Sequence, residues 1–471
     1  MDIIHISAEC YPAAKAGGLG DVVGALPKYQ TLAGHTAMVI MPFYHGKFSR
    51  ENEFTSIFTG YARLGHTNFQ FNVLELKTNN LGFNLVFIDI PGLFDRENIY
   101  SYHDDTERFI TFQIAAMNWL NQRPSVPDVI HCHDSHTGFI PFMMSKVRDY
   151  DRFEQVPSIF TIHNGQYQGQ FGFDKLYYLP PFHSYFNGQI EWNNLINPLA
   201  SAIKCAWKVT TVSPSYLDEI SLSMKGMEEL LRQERGKSMG ILNGIDVEVW
   251  NPETDPMLEK NYGIKTIAEG KSVNKEVLCK QFGLNPEKPL FAFIGRLCGE
   301  KGADCLPDII YQVSKTWPDE QSILVLGSGD HEIEQGLLQQ EELFRGSYCS
   351  YIGYNERLSH MIYAGSDFLL MPSRVEPCGL NQLYALRYGT VPIVRRTGGL
   401  RDTVIDIGDG GFGICHDQCS THDVMHSIHR AKSFFDNKKS FNKVRKHIMQ
   451  IDHSWNKAAE EYIDLYKSLK I

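Results

Sequence analysis

FLLMPSRVEPCGLNQLYALRYGTVPIVRRTGGLRD, residues 368–402, is the stretch from which the fold is read. Phe368–Met371 is a short apolar run closed by a proline, which reads as a buried strand. A polar turn through Glu376 follows, then a helical pattern from near Leu380. A second apolar run, Pro392–Val394, leads into Gly398-Gly399. Strand, turn, helix, strand and glycine turn in succession is the repeating unit of a parallel sheet covered by helices.

Outward from this stretch the pattern repeats. Strands are expected at Leu290–Gly295, Ser322–Leu326 and Cys349–Ile352. In the first half they are expected at Ile3–Ser7, Ala37–Met41, Leu85–Ile90, Val129–His131, Ser158–Thr161 and Lys208–Val212. A chain of 471 residues is too long for one ordinary core, so two doubly wound α/β domains are expected. The turn-rich stretch 244–256 reads as the linker, and Ser454–Leu469 as a closing amphipathic helix. The expected domains are 1–245 and 246–453, followed by the segment 454–471.

Composition narrows the function. Hydrophobic content of 43% and charged content of 21% are those of a globular enzyme. A net charge of -10 without a basic stripe excludes nucleic acid as the main partner. The cluster Lys438, Lys439, Lys443, Arg445 and Lys446 reads as a solvated helix face. Ten cysteines at irregular spacing, with no Cys-x-x-Cys pair, read as reduced thiols. No run of about 18 apolar residues exists, and the chain opens directly on a strand, so a cytoplasmic protein with no membrane span is expected.

In doubly wound sheets ligands bind beyond the carboxyl ends of the strands, and five motifs fall there. Lys15-Ala-Gly-Gly18-Leu-Gly-Asp21 precedes a helix start, where glycines admit close approach and free N–H groups favour an anion. Its glycine spacing misses the dinucleotide fingerprint by one residue, and no acid closes the second strand, which disfavours a nicotinamide cofactor. His131-Cys-His-Asp134-Ser135-His136 raises a metal reading. Directions alternate along a strand, so the histidines are not expected to converge on one ion without a sharp turn, and no metal is expected. His163 stands at the next strand end beside Asn164-Gly165.

Arg296 and Lys301 leave the first strand of the second half, where an arginine fork and a lysine suit a departing diphosphate. Glu376, between a strand and a helix, offers a carboxylate to sugar hydroxyls. The helix after it and Gly398-Gly399 offer backbone to a diphosphate.

As a set these residues resemble the starch and glycogen synthase family of retaining glycosyltransferases. The resemblance runs through Lys15–Asp21, Asp128–Asp134, Thr161–Asn164, Gly240–Asp246, Arg296–Gly302, Ile352–Tyr354, Ser373–Asp402 and Ser454–Leu469, with Glu-Pro-Cys-Gly-Leu its most specific run. It implies a GT-B fold, two Rossmann-like domains facing across a deep cleft, with the last helix returning to the first domain. It implies transfer of glucose from ADP-glucose to the non-reducing end of an α-1,4-glucan such as glycogen or a maltooligosaccharide, with no cofactor and no metal. By that resemblance Lys15, Gly18 and Asp21 serve the donor site, and His163 meets the donor glucose near its primary hydroxyl. Asn243 lies at the cleft edge, and Arg296 and Lys301 meet the leaving diphosphate. Tyr354 stacks on adenine, Glu376 and Cys378 line the glucose pocket, and Gly379, Leu380, Asn381, Thr397 and Gly398 flank the nucleotide. Asp134 and Ser135 fall on the acceptor side.

The sequence departs from the family at Ser135, usually tryptophan, at Val375, usually phenylalanine, and at Asn381, usually threonine; Ala16 and Gly165-Gln166 are milder changes. Loss of the tryptophan bears on the acceptor. A related family carries a second glutamate where this chain has Tyr384. With a single motif carboxylate, a covalent glucosyl-enzyme is not expected and front-face attack is. The alternatives are a UDP-glucose donor, a different acceptor, or a catalytically weak glucan-binding protein.

Overall fold

A computed structural model describes residues 1–96 and 98–469. By internal contacts they form two compact units, one of Met1–Asn243 with the chain from Trp455 on, the other of Gly244–Ser454.

The first unit contains β1 (Asp2–Ile6), β2 (Thr36–Pro42), β3 (Phe54–Leu64), β4 (Thr67–Leu76), β5 (Asn84–Asp89), β6 (Val129–His133), β7 (Ser158–Ile162), β8 (Glu191–Trp192), β9 (Leu195–Ile196), β10 (Lys208–Thr211) and β11 (Ser238–Gly240). Nine of these form one sheet in the order β11-β10-β7-β6-β1-β2-β5-β4-β3. From β11 to β5 all pairings are parallel, while β4 and β3 add an antiparallel hairpin at the edge. β1 lies between β2 and β6, so the strand order reverses at the β1/β6 seam. Ile3, Ile4 and Ile6 are fully buried, as in a sheet covered on both faces, and each contributes about 1.5–3 kcal/mol.

The second unit contains β12 (Leu290–Ile294), β13 (Ser322–Gly327), β14 (Tyr348–Ile352), β15 (Phe368–Met371), β16 (Val391–Arg395) and β17 (Ile414–His416). Its sheet order, β14-β13-β12-β15-β16-β17, is wholly parallel and reverses at the β12/β15 seam. This is the doubly wound order 3-2-1-4-5-6.

The eleven strands expected from sequence all form within a residue or two of the expected bounds. The β3/β4 hairpin was not foreseen, because an edge hairpin with one wet face lacks the continuous apolar run of a buried parallel strand. The stretch 244–256 is turn-rich as read, but it packs into the second unit. Trp250 stacks between His360 (ring centroids 4.0 Å apart) and Tyr384 (3.8 Å), and the carboxylate of Asp255 accepts from His360 at 2.7 Å.

Arg445 corrects the reading of 438–446 as solvated throughout. Its side chain is 9% exposed and donates to the Gly389 carbonyl at 3.2 Å. The helix Trp455–Ser468 packs on the helix Gly18–Leu32, where Trp455, Ala458, Ala459, Tyr462, Leu465 and Tyr466 join Val22, Leu26 and Tyr29 in one buried cluster. All ten cysteines are free thiols. Among the described residues no helix is long and apolar enough to cross a membrane.

Candidate functional site

In the first unit the expected residues gather at the carboxyl ends of β1, β6 and β7. The helix after β1 begins at Gly18, with Gly17 as its cap. Lys15 lies just before it, its ammonium 2.7 Å from the Asp21 carboxylate and 43% exposed. Open space surrounds Gly17 and Gly18, so the backbone there can be approached. Gly24 has a different role: a Cβ there would lie 2.5 Å from the Tyr11 carbonyl oxygen. Glu9, which the sequence reading passed over, holds the loop. Its Oε2 accepts from the backbone N–H groups of Ala16 (2.6 Å) and Gly17 (3.0 Å), and its Oε1 from the Tyr100 hydroxyl (2.6 Å). An acid three residues beyond a strand and just ahead of a glycine loop was the available signal.

Asp134 follows β6 with φ +57° and ψ 175°, a strained backbone region that residues with a side chain rarely enter and that concentrates at functional sites. Its Oδ1 accepts from the backbone N–H of His163 at 2.7 Å and of Asn164 at 3.4 Å, joining the β6 and β7 ends. Burial raises this carboxyl to about 7, against the pull of those two amides. Ser135 is 4% exposed, and a Cβ at Gly169 would lie 3.4 Å from its Cβ. Asn243 is 9% exposed, and its buried side-chain oxygen has no hydrogen-bond partner among the described residues.

The histidines correct the expectation of divergence. His131 and His133 stand two apart on β6, so they share one face, and their rings stack at 4.2 Å. His5 of β1 joins them, with ring nitrogens of the three within 4.8 Å of one another. Every ring nitrogen in this trio has a protein partner: His5 bonds Gln30 (2.8 Å) and His133 (3.0 Å), His133 bonds His163 (3.0 Å), and His131 bonds Tyr466 (2.7 Å) and Thr161 (2.6 Å). The trio is thus part of a hydrogen-bonded chain. Burial keeps the rings neutral, with His5 lowered to about 4, His163 to about 3, and His131 and His133 well below the usual imidazole range.

In the second unit the expected residues gather at the β12/β15 seam. Lys301 leaves the turn after β12 and places its ammonium 2.6 and 2.7 Å from the two carboxylate oxygens of Glu376, in the turn after β15. Ser373 donates a further hydrogen bond to Glu376 at 2.9 Å, and the glutamate is 6% exposed. The two turns are stitched together. The backbone N–H groups of Arg374 and Val375 donate to the Glu300 carbonyl at 2.8 and 3.2 Å. The Arg374 guanidinium reaches the Gly299 carbonyl (2.7 Å) and the Asp304 carboxylate (2.5 and 2.8 Å). Arg374 and Asp304 were not among the expected residues; the two lie 70 residues apart in sequence.

Arg296 is 60% exposed and pairs with Glu300 at 3.1 Å. Tyr354 follows β14 with 81% of its surface exposed and its hydroxyl on Glu356. Cys378 is 4% exposed, and Leu380 caps the helix Asn381–Arg387. The Asn381 amide donates to the Ile294 carbonyl at 2.7 Å, and the Gln382 amide donates to the Gly379 carbonyl at 3.0 Å. Thr397 caps the helix Gly398–Thr403. Gly398 has φ +43°, and a Cβ there would lie 2.0 Å from the Glu376 carbonyl oxygen. The close approach that Gly398-Gly399 permits is therefore first to the chain's own 376–378 backbone.

Residues 2–233 match the starch synthase catalytic domain family, and residues 274–443 match glycosyl transferases group 1. A glycogen synthase of Flavobacterium johnsoniae is 56% identical over 466 residues, covering 99% of this chain and 98% of that one. The chain belongs to the glycogen and starch synthase family. A second family member, a glycogen synthase of Geobacillus stearothermophilus, is 37% identical over 481 residues, covering 100% of this chain and 98% of its own. The catalytic domain of starch synthase IV from Arabidopsis thaliana, solved bound to ADP and acarbose, aligns with a TM-score of 0.90 and 32% identity over 99% of both chains. A sucrose-phosphate synthase of Thermosynechococcus elongatus, 16% identical with a TM-score of 0.62, shares the fold. The fold is GT-B.

Within the family, Ser135 is the departure the structure explains best. The small side chain is packed under Gly169, so the space beside it is taken by the protein's own backbone. Tyr384 is likewise accounted for: it stacks on Trp250 and carries no carboxylate into the site.

Proposed function

We propose that this chain is a retaining hexosyltransferase that moves glucose from ADP-glucose to the non-reducing 4-hydroxyl of an α-1,4-glucan and releases ADP. The observation that carries this reading is the Lys301–Glu376 pair at the reversal seam of the second sheet, where doubly wound sheets bind ligands. Support comes from the full-length similarity to glycogen synthases and from the Arabidopsis relative solved with ADP and acarbose.

The pair also constrains the chemistry. A carboxylate held by an ammonium and a serine hydroxyl is a poor nucleophile and a good acceptor for sugar hydroxyls. As the donor C1–O bond breaks, its electron pair passes to the diphosphate. The acceptor O4 bonds C1 on the same face, and its proton goes to the departing diphosphate. Arg296 and Lys301 meet the charge that develops there, an effect worth about 3 kcal/mol per donor. Lys15 and Gly18 face the donor phosphates and Asp21 completes their surroundings, while His163 meets the donor sugar. Tyr354 stacks on the base; Asn243, Cys378, Gly379, Leu380, Asn381, Thr397 and Gly398 line the donor site. Asp134 and Ser135 belong to the acceptor side, with glycogen or a maltooligosaccharide as partner. The scheme calls for no metal, cofactor, nucleic acid or membrane, and suits a cytoplasmic enzyme.

The exposed Tyr354 ring has a face for uracil as well as for adenine, which keeps UDP-glucose as the second reading. Side-by-side kinetics with ADP-glucose and UDP-glucose on glycogen test the assignment: higher kcat/KM with ADP-glucose is expected, and preference for UDP-glucose overturns the donor. Trapping of a glucosyl adduct on any side chain overturns the front-face step.

A further inference from the structure

Four polar side chains form a buried line in the first unit that ends at the residue assigned to the donor sugar. Gln30 Oε1 lies 2.8 Å from His5 Nε2, His5 Nδ1 lies 3.0 Å from His133 Nε2, and His133 Nδ1 lies 3.0 Å from His163 Nε2. Gln30, His5 and His133 are fully buried, and His163 is 7% exposed. The Gln30 amide nitrogen donates to the Tyr466 hydroxyl at 3.3 Å, and that hydroxyl lies 2.7 Å from His131 Nδ1. Among the described residues the other ring nitrogen of His163, Nδ1, has no hydrogen-bond partner in the protein.

We infer that Gln30, His5 and His133 are positioning residues that decide which ring nitrogen of His163 carries the proton, and that Tyr466 sets the direction of the line. A neutral imidazole has one N–H and one bare nitrogen, so each contact along the line holds a single proton. The Gln30 oxygen only accepts, so His5 is protonated on Nε2 and bare on Nδ1. His133 must then donate from Nε2 and accept at Nδ1, and His163 must donate from Nε2. His163 Nδ1 is left as an acceptor. Reversing one ring alone sets two N–H groups or two lone pairs against each other at a buried site, so the line holds one sense or reverses as a whole. The Tyr466 hydroxyl accepts from the Gln30 amide and lies 2.7 Å from His131 Nδ1; with that nitrogen bare, the hydroxyl donates to it, and the pair of contacts holds the sense in which His163 accepts.

The consequence for function rests on the proposed contact of His163 with the donor sugar: Nδ1 accepts the proton of the donor's primary hydroxyl. The structure itself makes His163 an acceptor there, and a donor sugar lacking that hydroxyl gives it nothing to accept.

Nitrogen-15 NMR of histidine-labelled full-length protein reads the tautomers without substrate. His5, His133 and His163 should all carry the proton on Nε2 in the wild type, and His163 should become a mixture in Gln30→Met. The opposite tautomers in the wild type, or an unchanged His163 in Gln30→Met, overturn the inference. Tyr466→Phe, which removes one oxygen, should also loosen the preference and serves if Gln30→Met does not fold; an unchanged His163 there likewise overturns it. In turnover, Gln30→Met should lower kcat about tenfold with ADP-glucose, the worth of one hydrogen bond, and leave KM for glycogen unchanged. With ADP-6-deoxyglucose the loss should vanish. An equal loss with both donors marks a merely structural role. If wild-type enzyme treats the two donors alike while the tautomers are as stated, the sugar contact fails and the relay stands.

Discussion

Glu376 is 6% exposed and accepts three hydrogen bonds, two from the one ammonium of Lys301 and one from the Ser373 hydroxyl. Removing that ammonium leaves a buried carboxylate unpaired, so Lys301→Ala should lower the unfolding free energy by about 3 kcal/mol. It should also lower kcat about a hundredfold, because charge on the leaving diphosphate goes unmet. The double variant Lys301→Ala with Glu376→Ala should regain much of the stability and none of the turnover. Urea unfolding and ADP-release rates check both; a double variant no more stable than the single one contradicts the pairing. Gly398 belongs to the same contact, since a Cβ there would strike the Glu376 carbonyl. Gly398→Ala should cost about 2 kcal/mol or more in urea unfolding; a neutral result removes Gly398 from the support of Glu376. At this scale the sequence showed what stands at strand ends. Lys301 and Glu376 each follow an apolar run by a few residues, and that placement put both at the ligand edge; their direct pairing, across 75 residues, was not foreseen. Gln30 and His5 were invisible because their partners come from distant segments, and a buried histidine in a strand looks the same whether idle or linked.

The elements differ in how plainly they declare themselves. Parallel strands such as Leu290–Ile294 are buried on both faces and read as unbroken apolar runs. Phe54–Leu64 and Thr67–Leu76 carry only one dry face, and the pattern Phe54-Thr-Ser-Ile57-Phe58 does not alternate strictly, since a register shift falls between Ser56 and Phe58. The helix Trp455–Ser468 was legible from its amphipathic spacing, and it completes the buried cluster around Ile3, Val22 and Ile159. A chain ending at Ser454 should therefore expose that cluster and Gln30 together. Its first unit should lose amide protection in hydrogen exchange across β1 and the helix Gly18–Leu32, while the second unit keeps its own. Full protection in the shortened chain contradicts this.

For the whole molecule the buried rings set an acid limit. His5, His131, His133, His136 and His163 stay neutral when folded, the first and fourth lowered to about 4 and the last to about 3. An unfolded chain binds protons on all five at about pH 6.5 and the folded one does not, so stability is whole above that pH and falls as pH drops toward 4. His5, His136 and His163 each cost about 2 kcal/mol by pH 5, and His131 and His133 act in the same direction. Asp134, raised to about 7, works in the opposite sense, because its cost lessens on acidification; one carboxyl does not offset five rings. The thermal midpoint should fall steeply between pH 6.5 and 5, and a flat profile contradicts neutral buried histidines. The GT-B architecture was legible because the parallel parts of both sheets repeat one strand–turn–helix grammar and because the motifs at their edges resemble one family. The transfer itself is tested most directly by following ADP-glucose and a maltooligosaccharide by proton NMR. One ADP released per new α-1,4 linkage, with that linkage α from the first turnover, is the expected result; a β linkage, or no transfer from ADP-glucose, contradicts it.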